Sequence, residues 1–116
     1  MTSSSLYYYF TVMVHREHVI SQLQHYFLSK GVERVILFGS FARNTQTRKS
    51  DVDLIVIKQT DKRFFDRYDD FNDIESYVCM PVDCLIYTPA EWEIISNRIF
   101  FKNVLKDATE IYVNRK

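Results

Sequence analysis

The run Ile36-Leu37-Phe38-Gly39-Ser40-Phe41-Ala42-Arg43, followed after a polar loop by Ser50-Asp51-Val52-Asp53-Leu54-Ile55-Val56-Ile57, constrains this chain more than any other feature. An apolar, β-branched strand must end abruptly in a Gly-Ser turn, and a second strand must begin with carboxylates at alternate positions. Alternation puts Asp51 and Asp53 on one face of that strand, while Val52, Leu54 and Val56 share the other, which is apolar and expected to pack on helices. Asp83 is a third carboxylate inside an otherwise apolar strand, Pro81-Val82-Asp83-Cys84-Leu85-Ile86-Tyr87. Three carboxylates converging on one sheet face repel one another unless a cation sits between them.

Around this unit, Val19, Ile20, Leu23, Phe27 and Leu28 recur at helical spacing between His15 and Ser29, with Gly31 as a left-handed stop. Val32 to Phe38 reads as the first strand, Ser40 to Arg43 as a short helix, Asn44 to Ser50 as a loop and Asp51 to Ile57 as the second strand. Phe64, Phe65, Tyr68, Phe71, Ile74 and Tyr77 predict one amphipathic helix over 61–77, with Asp66, Asp69, Asp70 and Asp73 on its solvated face. Val82 to Tyr87 is a third strand, and Thr88-Pro89-Ala90-Glu91 carries the residues of a capping box with proline at the first helical position. Ile99 to Leu105 predicts a further helix before an extended tail, Glu110-Ile111-Tyr112-Val113. The order fits one small α/β domain with a mixed sheet. Residues 1–13 stand apart as an N-terminal extension, a strand or an oligomerisation arm, or as a mis-called start ahead of Met13. The domain itself is assigned to 14–116.

At 116 residues there is room for one core and no second folded unit. Fifteen Lys+Arg balance fifteen Asp+Glu, so the chain lacks the basic excess of a protein held mainly by a nucleic-acid backbone. Arg43, Arg48 and Lys49 nevertheless crowd the loop between the motif halves, where a triphosphate needs positive charge. Cys79 and Cys84 are the only cysteines and lack a zinc-ligand pattern, so they read as reduced thiols. With neither a membrane-length apolar run nor a signal-peptide pattern, the expected location is cytoplasmic.

Gly39-Ser40, ten intervening residues and then Asp51-x-Asp53 resemble the signature of the DNA polymerase beta nucleotidyltransferase superfamily. The resemblance is closer to its minimal nucleotidyltransferases, the antitoxin-like members paired with HEPN-domain ribonucleases, whose runs read Gly-Ser-x-Ala-Arg-Gly and Ser-Asp-x-Asp-Leu. The single departure is Asn44 in place of the second glycine, and Asn is the non-glycine residue that best tolerates a left-handed backbone. The resemblance covers the chain from about Val14 and implies a polymerase beta-like domain, its mixed sheet packed by helices on one face. It also implies catalytic and metal-holding roles for Asp51, Asp53 and Asp83 with Mg²⁺ or Mn²⁺, and nucleotide contacts from Gly39, Ser40 and Arg43. The implied reaction is transfer of AMP from ATP to a tyrosine of a HEPN toxin, in a homo- or hetero-oligomeric assembly. A different class remains open: an antitoxin that neutralises by contact alone, for which Tyr7, Tyr8, Tyr9 and Trp92 would supply an aromatic interface.

Overall fold

The computed structural model describes residues 3–47 and 49–115, with side chains from residue 15 onward. Helix α1, Ser3–Phe27, opens the chain and buries Val19, Leu23, Tyr26 and Phe27, a stripe at intervals of four, three and one. From Ser3 onward the backbone before Val14 is thus continuous with this helix and is not a strand, while the side chains of Tyr7, Tyr8 and Tyr9 lie outside the described residues. Leu28 falls just past the helix end and is exposed. Gly31 follows in the left-handed conformation the sequence predicts, at φ +70.

Strand β1 (Arg34–Phe38) leads directly into the one-turn helix α2 (Gly39–Arg43), and β2 (Val52–Ile57) returns antiparallel to β1. Asn44 closes α2 at φ 60, so the departure from glycine is accommodated as its short polar side chain allows. Strand β3 (Val82–Tyr87) pairs parallel to β2, and β4 (Thr109–Val113) pairs antiparallel to β1, giving the sheet order β3-β2-β1-β4. The mixed sheet is the one expected.

The larger core cluster joins α1 to Val35, Leu37, Val52, Leu54 and Val56, the face predicted to pack on helices. The opposite face is also partly covered. Helices α4 (Pro89–Ile95) and α5 (Ile99–Leu105) lay Trp92 and Phe101 over Ile36, Ile55, Ile57 and Tyr87, leaving the Asp53 end of that face for the carboxylates. The predicted capping box is present, with Thr88 accepting from the Glu91 N–H and Glu91 accepting from the Thr88 N–H.

The helix expected over 61–77 divides into a 3₁₀ segment, Phe64–Phe71, and α3, Ile74–Val78. Three residues per turn stack Phe64 over Arg67, so the stripe rotates away from the α-helical one. Phe65 consequently stands 91% exposed and Arg67 only 6%. Arg67 forms a two-pronged ion pair with Glu91 at 2.6 and 3.1 Å, and also donates to the Lys62 and Ile86 carbonyls. That guanidinium holds the Glu91 carboxyl down at about 2. The four aspartates expected at the surface serve as ion-pair or solvent groups there: Asp70 bridges Lys58 and Lys62, and Asp73 accepts from the Tyr26 hydroxyl and faces Lys30. Helix α3 ends on Cys79 in a left-handed conformation, φ 60, unusual for a residue that is neither Gly nor Asn. Neither cysteine forms a disulfide, and among the described residues no helix is long and apolar enough to cross a membrane.

Removing Arg67 leaves the Ile86 carbonyl without a donor and Glu91 with the Thr88 N–H alone. Arg67→Ala should therefore cost about 2 kcal/mol, below the ~3–5 kcal/mol of a wholly buried pair because Glu91 is half exposed. Urea denaturation measures it, and an unchanged midpoint would mean that water replaces the guanidinium at no cost.

Candidate active site

The register of the sheet assembles the site. Phe38 pairs with Asp53 across β1 and β2, and Asp53 pairs with Asp83 across β2 and β3. Alternation then directs the Asp53 and Asp83 side chains to the same face, that of Ile55, Ile57, Leu85 and Tyr87. Asp51 is exposed and lies one residue ahead of β2, on the approach to the same face. Gly39, next after Phe38, sits against Asp53 at φ +75, and a Cβ built on it would come within 2.3 Å of Asp53 Oδ2. Only glycine fits there, for two independent reasons: backbone conformation and space.

Helix α2 starts at Gly39, so its N-cap is Phe38 and Ser40 lies in the first turn. Phe38 gives no side-chain cap to the helix start among the described residues. Ser40 instead contributes its carbonyl, which accepts from the Thr45 N–H at 2.9 Å and folds the following loop back on the helix. Arg16 Nε donates to the Phe41 carbonyl at 2.6 Å, tying α1 to α2. Arg43 is exposed, yet its charge reaches Asp53. Lys49 is exposed in the loop, and Arg48 lies outside the described residues.

Burial raises the Asp53 carboxyl above the usual carboxylate range, and the charges of Asp83 and then Asp51 raise it further, with Arg43 opposing. This is the electrostatic mark of carboxylates brought together ahead of a counter-charge. Among the described residues no three His, Cys, Asp or Glu groups are already gathered into a metal-holding set, so the trio faces one space without being closed into a cage. Its chemistry fits a hard divalent cation: the donors are all anionic oxygens, and their mutual repulsion is what such an ion relieves. Burial likewise pushes the Cys84 thiol up to about 12, with help from Asp83 and Glu75, so it is no thiolate nucleophile.

A family model for polymerase beta, nucleotidyltransferase, matches residues 19–115. The chain belongs to that family. It is 27% identical over 85 residues to "Putative protein adenylyltransferase MJ0604" of Methanocaldococcus jannaschii, an alignment covering 70% of this chain and 79% of that protein. In fold it resembles the crystal structure of "a putative nucleotidyltransferase" from Sulfolobus solfataricus, with a TM-score of 0.62 at 18% identity over 90% of this chain and 89% of the other. It also resembles a toxin-antitoxin crystallised with AMP-PNP, with a TM-score of 0.57 at 21% identity over 85% of this chain and 74% of that one. A mutant of the toxin-antitoxin MntA-HpeT aligns with a TM-score of 0.56 at 18% identity, covering 86% and 74%.

Sequence reasoning singled out Asp51, Asp53, Asp83, Gly39, Ser40 and Arg43 as candidates, and the structure brings the carboxylates, Gly39 and Arg43 into one neighbourhood. It missed Arg16 and Arg67, which brace the surroundings. Arg67 left a trace: a cation three residues after Phe64, within an otherwise apolar stripe, implies a buried partner.

Gly39→Ala should destabilise the protein by at least about 2 kcal/mol, combining the left-handed penalty with displacement of Asp53. A neutral result in urea denaturation would show that the carboxylate swings aside freely. Folded Asp53 takes up its proton at a higher pH than it would in the unfolded chain. Its ionisation therefore opposes folding above the folded pKa, and this cost disappears as pH falls below the unfolded value of about 3.9. Asp53→Asn should thus melt higher than wild type at pH 7, with the gain shrinking as pH drops through the carboxylate range. A lower melting point at pH 7 would contradict this reading.

Proposed function

We propose that the protein transfers AMP from ATP to a hydroxyl of a protein partner, a tyrosine of a HEPN-domain toxin, and acts thereby as the antitoxin of the pair. The observation that carries this reading is the contact of Gly39 with Asp53 beside Asp83, in a chain of the nucleotidyltransferase family. Support for the acceptor class comes from the relative named as a protein adenylyltransferase, and for the pairing from the toxin-antitoxin structures that share the fold.

In this reading Gly39 admits a phosphate to the backbone at the α2 turn, with Ser40 and Arg43 contributing a hydroxyl and a positive charge. Mg²⁺ or Mn²⁺ held by Asp51 and Asp53, with Asp83 alongside, would neutralise the triphosphate. The acceptor oxygen attacks the α-phosphorus as the bond from that phosphorus to the oxygen bridging toward the β-phosphate breaks. Pyrophosphate leaves, and the hydroxyl proton passes to Asp83. A contact-only antitoxin is the second reading. It is favoured by the exposed Ile94, Ile99 and Phe100 on α4 and α5, which offer an apolar surface unrelated to the carboxylates.

Purified protein incubated with labelled ATP, Mg²⁺ and a HEPN-domain partner should label that partner. Asp51→Asn with Asp53→Asn should abolish calorimetric binding of ATP·Mg²⁺. Asp83→Asn should keep that binding while losing at least about a hundredfold in transfer, as expected of a group acting in the transition state. If both variants protect cells from the toxin as well as wild type does, catalysis is dispensable and contact alone is the function.

A further inference from the structure

Strand β3 forms one edge of the sheet, and its outward backbone is only partly closed. The Pro81 carbonyl accepts from Val52 N–H and the Tyr87 carbonyl from Lys58 N–H, at 3.0 and 2.9 Å, so the odd-numbered residues face β2 and its continuation. Val82, Cys84 and Ile86 therefore direct their N–H and C=O groups away from the sheet. Both ends of this row are capped by side chains. Glu75 Oε2 accepts from Val82 N–H at 2.9 Å, and Arg67 Nη1 donates to the Ile86 carbonyl at 3.1 Å. Between the caps, the Val82 carbonyl, both backbone groups of Cys84 and the Ile86 N–H have no partner among the described residues.

These groups border a groove of about 370 Å³ lined by Phe64, Phe65, Tyr68, Glu75, Asp83 and Cys84. Its charged lining is acidic, from Glu75 and Asp83, and its rim carries Phe65 with 91% of its surface exposed. Acceptor, donor, acceptor and donor at strand spacing are matched by the backbone of an extended peptide. The acidic lining disfavours nucleic acid and favours a basic segment. Asp83, adjacent to Cys84 on the same strand, connects this edge to the carboxylate site.

We propose that the open edge of β3 binds an extended, basic segment of the acceptor protein as an added strand, bringing its hydroxyl to Asp83. This rests on the transferase reading above and names how its protein substrate is held. The caps at Glu75 and Arg67 limit the added strand to about four residues, the length that the open row can pair. Phe65 then covers the apolar side chains of the segment.

The probe is an acetylated Arg-Val-Tyr-Val-Arg-Val peptide, with the same peptide N-methylated at alternate residues as a control. In ¹⁵N-labelled full-length protein, the first peptide should slow hydrogen exchange at the Cys84 and Ile86 amides, and the methylated one should not. Cys84→Pro removes an outward N–H without breaking the ladder to β2, and Phe65→Ala removes the rim. Each should raise KM for AMP transfer to the peptide about tenfold, the worth of one lost hydrogen bond or apolar contact, with kcat and ATP affinity unchanged. Should Cys84→Pro not fold, Phe65→Ala and the exchange data decide. Absence of protection at saturating peptide, equal binding of the methylated peptide, or unchanged KM in Phe65→Ala would overturn the proposal. So would protection of the same amides by self-association without peptide, since the edge would then belong to a second copy. Protection without any AMP transfer by wild type would overturn the transferase reading and leave the peptide edge standing.

Discussion

The contact between the Gly39 backbone and the Asp53 carboxylate is the constraint around which the domain is arranged. It exists because β1 and β2 pair with Phe38 opposite Asp53, and a shift of one residue would turn Asp53 into the larger core and Leu54 out of it. The apolar alternation Val52, Leu54, Val56 therefore enforces the position of a polar group. Core packing fixes the register, and the register brings carboxylate and turn together.

The same arrangement sets stability against chemistry. Asp53 is partly buried beside two like charges, a repulsion that the two core clusters must tolerate. Arg43 offsets part of this repulsion from an exposed position, where solvent screens it. Bracing comes from elsewhere: Arg16 fastens α2 to α1, and Arg67 fastens the 3₁₀ segment to both α4 and the sheet edge.

Much of this was legible from residue order. Alternation located the strands and set Asp51 and Asp53 on one face, the register of β2 and β3 adds Asp83 to it, and Gly31, Asn44 and the Thr88–Glu91 box marked turns whose backbone chemistry is local. The splitting of 61–77 was not legible, because the stripe that separates a 3₁₀ segment from an α-helix differs by a fraction of a residue per turn. Arg67, which decides which face turns inward, finds Glu91 only through tertiary folding. The smaller helical cap was hidden for a related reason: Ile55 and Ile57 read equally well as the end of a strand buried on one face or on both. The segment before Val14, rich in aromatic and β-branched residues, joined α1 against its local preference.

The chain contains two glycines, and both occupy left-handed positions, Gly31 and Gly39. Among the described residues the other two such positions fall to Asn44 and Cys79. Asn suits the role, whereas Cys79 holds a conformation that costs an ordinary side chain about 1 kcal/mol, four residues before Asp83. Its side chain is exposed, and its thiol carries no covalent partner. The end of α3 is thus a reserve of evolvability: glycine or asparagine there would make the whole domain more tolerant of destabilising changes near the carboxylates, while every group of the site kept its place.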